Sequence, residues 1–236
     1  MEKEGLLEKI GKYLLAINIA YFSFQVCRGF FSYYDDYLNK KYGENEKVEY
    51  EKQSLEDKLK KDFKRYTIFD EYFLKKAEEN VNSKCLEILT DIKLARKNLE
   101  KNNSLYLINE VKERDSVFGK LIEALIIVES GGKNNSKSKK NAVGLTQLTE
   151  PVLKKYGYKI DHAYNPKISI DVCEKEMRRL MENYSSVSLA LIAYNWGESR
   201  LNNLIKKYKA DEIIEKIPKS VQAYVIKILS RYYLLD

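Results

Sequence analysis

The chain has 236 residues and a formal net charge of +7. Its one histidine, His162, excludes a multi-histidine metal site and any triad that needs a second histidine. The three cysteines, Cys27, Cys85 and Cys173, cannot all pair within one chain and lack metal-ligand spacing. Nothing resembles a phosphate-binding glycine loop, so the expectation is no metal and no organic cofactor. With 3 Pro, 10 Gly and abundant Leu, Ile, Lys and Glu, the chain reads as mainly α.

The first segment, residues 1–45, contains an apolar run from Tyr13 to Cys27, broken only by Asn18, Ser23 and Gln25. At fifteen residues it is shorter than the roughly 20 a membrane-spanning helix needs. It suits a signal-peptide core or a short anchor, but Glu2, Glu4 and Glu8 dilute the usual basic start. A helix packed on the rest of the chain is the alternative. Residues 46–115 alternate charges densely, with Leu55, Leu59, Phe63, Tyr66 and Phe69 three or four apart, which predicts one or two long amphipathic helices. Asn102-Asn103-Ser104 is the expected break. This region could pack on the domain that follows, space it from a membrane, or bind a protein partner.

From residue 116 onward the charge becomes one-sided. All of the excess lies in residues 116–236, where 20 basic residues face 13 acidic ones. Such a surface attracts anionic polymers, but no nucleic-acid motif accompanies it and no nucleic-acid partner is expected. The run Leu121–Val128 is apolar almost all round, and period alone does not separate helix from strand there. The polar breaks at Lys120 and Glu123 favour a helix that ends near Glu129, just before Gly131-Gly132. Apolar surroundings and the negative end of a helix both raise a carboxyl pKa, and a carboxyl that keeps its proton near neutral pH can serve as a general acid. A lone Glu after an apolar run is more often the start of a solvated loop.

Further along, no sustained alternation argues for a sheet, and a short hairpin near Tyr156–Ile160 is the one strand pairing the sequence leaves open. Leu201, Leu204, Ile205 and Tyr208 form one helical stripe, and Val221, Tyr224, Val225, Ile228, Leu229 and Tyr232 form another. Leu189–Tyr194 is apolar enough for a buried helix, in which a Tyr is often core with its hydroxyl satisfied. Asn195 before Trp196-Gly197 could be a helix cap, and Gly144 an ordinary turn residue.

The order of these features carries more weight than any one of them. Glu129-Ser130-Gly131, Ser138 and Gly144-Leu145-Thr146-Gln147 match without a gap the first motif of a known family. Asn165-Pro166 with Ile170 and Cys173–Met177, then Ala193-Tyr194-Asn195-Trp196-Gly197, then Ile217-Pro218-Lys219 with Tyr224-Val225, follow in the family's order. The stretch from about Ser116 to Tyr233 resembles the soluble lytic transglycosylases. The resemblance implies a lysozyme-like helical domain over 116–236 behind an N-terminal helical extension. It also implies cleavage of the β-1,4 bond between N-acetylmuramic acid and N-acetylglucosamine in peptidoglycan, with a 1,6-anhydro end as product.

By the same resemblance Glu129 is the acid and then the base. Ser138, Gln147, Tyr194 and Asn195 contact substrate, Tyr194 also orienting Glu129, and Ser130, Gly144 and Tyr224 support the site. The implied partner is the glycan strand and the implied location is the cell envelope, with membrane contact through residues 13–27. The sequence departs from the pattern at four places: Thr146 stands for a methionine, Gly132 for an aromatic, Asn134-Asn135 for an Asn-Pro step, and Ser220 for a glutamate. They bear on binding contacts and substrate preference more than on the reaction. The rival expectations are a water-using hydrolase, which would want a second carboxylate beside Glu129, and a non-catalytic wall-binding module.

Overall fold

The computed structural model describes residues 67–235. The apolar run 13–27 and the first part of the charged region, 46–66, lie outside these residues. Among the described residues no helix is long and apolar enough to cross a membrane.

Helix α1 (Ile68–Lys101) begins at a capping box, in which Thr67 accepts from the Asp70 amide and Asp70 accepts from the Thr67 amide. It buries one long stripe from Phe69 through Phe73, Ala77, Val81, Ile88, Ile92 and Ala95 to Leu99. A kink at Lys84 divides it. The chain breaks at Asn102–Ser104 as expected, and α2 (Leu105–Arg114) follows.

Helix α3 (Ser116–Ser130) is capped by Asp115, which accepts from the Phe118 amide at 3.0 Å. Every residue from Leu121 to Ile127 is buried, so this helix runs through the core, as its all-round apolar sequence predicts. The one ionised intruder is Glu123. Burial would raise its pKa, but Arg96 and Lys112, at 2.6 and 2.7 Å, overcome that and hold it lowered.

After a loop come α4 (Glu150–Lys155), a 3-10 turn (Ile160–Tyr164) and α5 (Pro166–Tyr184). No hairpin forms at 156–160. Tyr156 and Gly157 end α4, and the chain passes straight into the 3-10 turn. The β-type pairing lies earlier, where Val143 bridges to both Lys137 and Leu148. Asn165 caps α5 by accepting from the Lys167 amide, and Pro166 takes the first helical position, where its missing N–H costs nothing.

Helix α6 (Val187–Trp196) is buried from Val187 to Ala193 and stops at Gly197. Helices α7 (Glu198–Lys207) and α8 (Ala210–Lys216) are more exposed. The stripe expected here holds at Leu201, which is buried, and at Leu204 and Tyr208, which pack half-buried against the core, whereas Ile205 is exposed. Helix α9 (Lys219–Leu234) buries the whole expected stripe from Val221 to Tyr232.

Helix α9 lies along α1, where Ser230 meets the Ala77 carbonyl and the Asn80 amide, and Arg231 pairs with Asp91. Asp70 ties α1 to the start of α6 by accepting from the Ser186 hydroxyl and the Ser188 amide, both at 2.9 Å. The described residues thus form an all-helical domain in which α1, α3, α6 and α9 share one core.

Candidate active site

Glu129 sits in the last turn of α3, two residues before Gly131, which ends the helix in a left-handed conformation. The residue is half-buried. Its carboxylate Oε1 accepts a 2.6 Å hydrogen bond from the Tyr224 hydroxyl. Burial pushes the Glu129 pKa up to about 7, against the opposing pull of the Tyr224 hydrogen bond. No charged group is among the causes of that shift.

Three other titratable side chains converge on this carboxyl: Cys173 from α5, Tyr194 from α6 and Tyr224 from α9. Burial raises both tyrosines, and Glu129 is near enough to raise both further. Cys173 is a fully buried free thiol, and burial pushes it up to about 12. It therefore stays protonated and is inert as a nucleophile.

The geometry redistributes the two tyrosines. Tyr194 was expected to hydrogen-bond near Glu129 and orient it. Its hydroxyl instead donates to the Thr146 carbonyl at 2.8 Å and lies 3.5 Å from Cys173 Sγ. Tyr224, expected only as support, holds the carboxylate directly.

The Gly144–Gln147 turn is built around close approach. Gly144 has φ +82°, and a Cβ there would lie 2.0 Å from the Ala163 carbonyl oxygen. Gln147 is also left-handed, with φ +51°. Its amide group closes the turn by donating to the carbonyls of Ser136 and Gly144, at 3.1 and 3.0 Å. With both protons used there, the side-chain oxygen is the end left to meet a donor.

Thr146 is fully buried between Gly144 and Gln147. Its hydroxyl donates to the Ser169 carbonyl at 3.1 Å, and its amide donates to the Ser169 hydroxyl at 3.2 Å. The smaller residue is thus bound to α5 instead of forming an open wall. Ser138 is half-buried, and its hydroxyl oxygen accepts from the Lys140 and Ala142 amides in its own turn. Ser130 donates to the Ile126 carbonyl and accepts from the Gly132 amide. Asn195 is exposed on the last turn of α6 and does not cap it, since Gly197 does. Ser220 is exposed at the start of α9. Among the described residues no cluster of His, Cys, Asp or Glu could hold a metal ion.

The sequence marks Asn102 only as part of a helix break and does not mark Asn98 at all, yet both side chains at the α1 end reach the turn after Glu129. They donate to the carbonyls of Gly131 and Gly132 at 2.7 and 2.9 Å. Their four-residue spacing places them on one helix face.

The site is thus a carboxyl of raised pKa at the end of a buried helix, inside an all-helical core. Residues 106–217 match the family model described as the transglycosylase SLT domain, a match consistent with the soluble lytic transglycosylase family. The match supports lytic transglycosylase-type activity in general. It covers Glu129, Gly144–Gln147 and Tyr194, and leaves out α1 on one side and Tyr224 on the other.

Proposed function

We propose that this chain is a peptidoglycan lytic transglycosylase in which Glu129 is the single proton-transfer group. The observation that supports this most is the pKa of Glu129, raised to about 7 by burial with no second carboxylate taking part. Glycosidases that use water employ two carboxyl groups, one as acid and one as base or nucleophile. A substrate that supplies its own nucleophile needs only one.

In the proposed reaction the protonated Glu129 donates its proton to the glycosidic oxygen between N-acetylmuramic acid and N-acetylglucosamine, and the C1–O bond breaks. The muramic acid 6-hydroxyl oxygen then bonds to C1. Its proton passes to the Glu129 carboxylate, which restores the acid. The product is a 1,6-anhydro end, and no water is consumed.

Tyr224 holds the carboxylate in place and stabilises it in the interval when it is charged. Tyr194 acts one step further away, by fixing the Thr146 carbonyl and with it the Gln147 turn. Gln147 and Asn195 offer polar ends for sugar N-acetyl and hydroxyl groups. Ser138 shapes the loop beside them, its oxygen already accepting two amides. A peptidoglycan substrate implies a protein of the cell envelope, with residues 13–27 as its membrane contact. Incubation with purified sacculi tests the reading. The wild-type chain should release soluble muropeptides, and Glu129→Gln should release none while still co-sedimenting with the sacculi. Equal release by both would remove Glu129 from the chemistry.

A further inference from the structure

Helix α1 lies outside the residues that the family match covers, yet it is fastened to the acid-bearing helix at two levels. At the lower level Arg96 pairs with the buried Glu123 of α3 at 2.6 Å. At the upper level α1 reaches the turn that follows Glu129. Asn98 Nδ2 donates to the Gly131 carbonyl at 2.7 Å, and Asn102 Nδ2 donates to the Gly132 carbonyl at 2.9 Å. Asn102 also donates to Asn134 Oδ1 at 3.2 Å, and the Ser104 hydroxyl reaches the same oxygen at 3.4 Å.

The fit leaves no slack. Gly132 has φ +77°, and a Cβ on it would lie 2.4 Å from the Ala95 carbonyl oxygen and 3.1 Å from Leu99. The backbone of the turn therefore rests directly on α1. This is a physical reason for a glycine where the resemblance would place an aromatic: a side chain at 132 would have to occupy the space that α1 fills.

Helix termini leave carbonyls without partners, and these are where a helix frays. The turn after α3 is a poor candidate for rigidity on its own, since Gly131 and Gly132 are the two residues with the most backbone freedom. Here two side-chain amides from another helix take the first two carbonyls beyond α3.

We propose that α1 is a positioning element of the catalytic centre: Asn98 and Asn102 pin the Gly131–Gly132 turn and thereby fix the last turn of α3, which aims the Glu129 carboxyl. This rests on the reading of Glu129 as the proton donor. The helical extension then has a defined task that the family match does not assign to it. The groups that face Glu129 from the other helices are Tyr224 on α9, Tyr194 on α6 and Cys173 on α5, none of them charged near neutral pH. Release of the turn would let water reach the carboxyl and weaken the burial that keeps its proton on.

The test is a carbon-detected NMR titration of the Glu129 carboxyl in the full chain, run beside the pH profile of sacculus cleavage. The variants are Asn98→Ala, Asn102→Ala, the double variant, and Val81→Ala. Val81 is buried in α1 far from the turn, so its variant lowers stability without touching the pin. Wild type should titrate near 7. Each Asn variant should titrate lower, the double variant by about one unit, and the alkaline limb of the pH profile should move with it. Val81→Ala should lower Tm and leave the titration where it was. Folded Asn98→Ala and Asn102→Ala proteins that titrate with wild type would overturn the proposal. So would loss of fold in both single variants, because the two residues would then hold the fold and not aim the acid. If wild type cleaves nothing while the titration shifts as described, the enzymatic reading fails and the pin stands.

Discussion

The Tyr224 hydroxyl donates a 2.6 Å hydrogen bond to Glu129 across 95 residues of chain, joining the first and last motifs of the site. The bond favours the charged carboxylate, whereas burial favours the neutral acid, and burial wins. Tyr224→Phe removes the one influence that lowers the pKa. The Glu129 titration should therefore move upward, by roughly half a unit to one unit. The alkaline limb of the cleavage profile should extend to higher pH, while the maximal rate falls because the carboxyl is less well held. A limb that moves downward would contradict this balance.

The raised pKa also has a consequence for stability. Between 4.5, the ordinary value, and about 7, the folded chain keeps a proton on Glu129 that the unfolded chain has released. Stability from this group is thus fully present below the unfolded pKa and is lost as pH rises through the folded one. The loss amounts to roughly 3 kcal/mol above pH 7. Glu129→Gln, which cannot ionise, should unfold at higher denaturant than wild type at pH 8 and at nearly the same concentration at pH 4. Equal midpoints at pH 8 would mean that the carboxyl is not enclosed.

Tyr194→Phe should act on binding more than on proton transfer. It leaves the Thr146 carbonyl without its partner in a buried setting, which costs about 1–2 kcal/mol. The disturbance passes to Gln147, the next residue. Steady-state cleavage should show KM raised several-fold with kcat changed less. A pure loss of kcat with KM intact would return Tyr194 to a direct role on the acid.

Gly144→Ala should be the most damaging small substitution in the site. The added carbon would meet the Ala163 carbonyl oxygen at 2.0 Å, and the backbone is left-handed. The cost is about 3 kcal/mol or more. Thermal unfolding should show Tm lower by roughly 6–12 °C, and a variant as stable as wild type would mean that the turn can open at little cost.

What the sequence made legible was local. The apolar run 121–128 reads as a helix ending at Glu129, and Asn102–Ser104 as a break, because period and capping chemistry are written in neighbouring residues. The α9 stripe was readable for the same reason. No hairpin forms at 156–160, because the Gly157 turn signal there ends a helix and does not join two strands. Which tyrosine meets Glu129 was not legible, since α6 and α9 both bring a buried Tyr to the carboxyl and only the packing of α9 decides. Nor was the inward use of Gln147 or the reach of Asn98 and Asn102, because a polar residue on a helix or turn looks the same in sequence whether it faces water or a neighbouring carbonyl.

The central claim is that one enclosed carboxyl moves the proton and the substrate supplies the nucleophile. Mass spectrometry of peptidoglycan digested in water enriched with oxygen-18 tests it most directly. The wild-type digest should contain 1,6-anhydromuramic acid ends that carry no label, and the Glu129→Gln digest none of them. Reducing ends carrying the heavy oxygen would contradict it and make the protein a hydrolase.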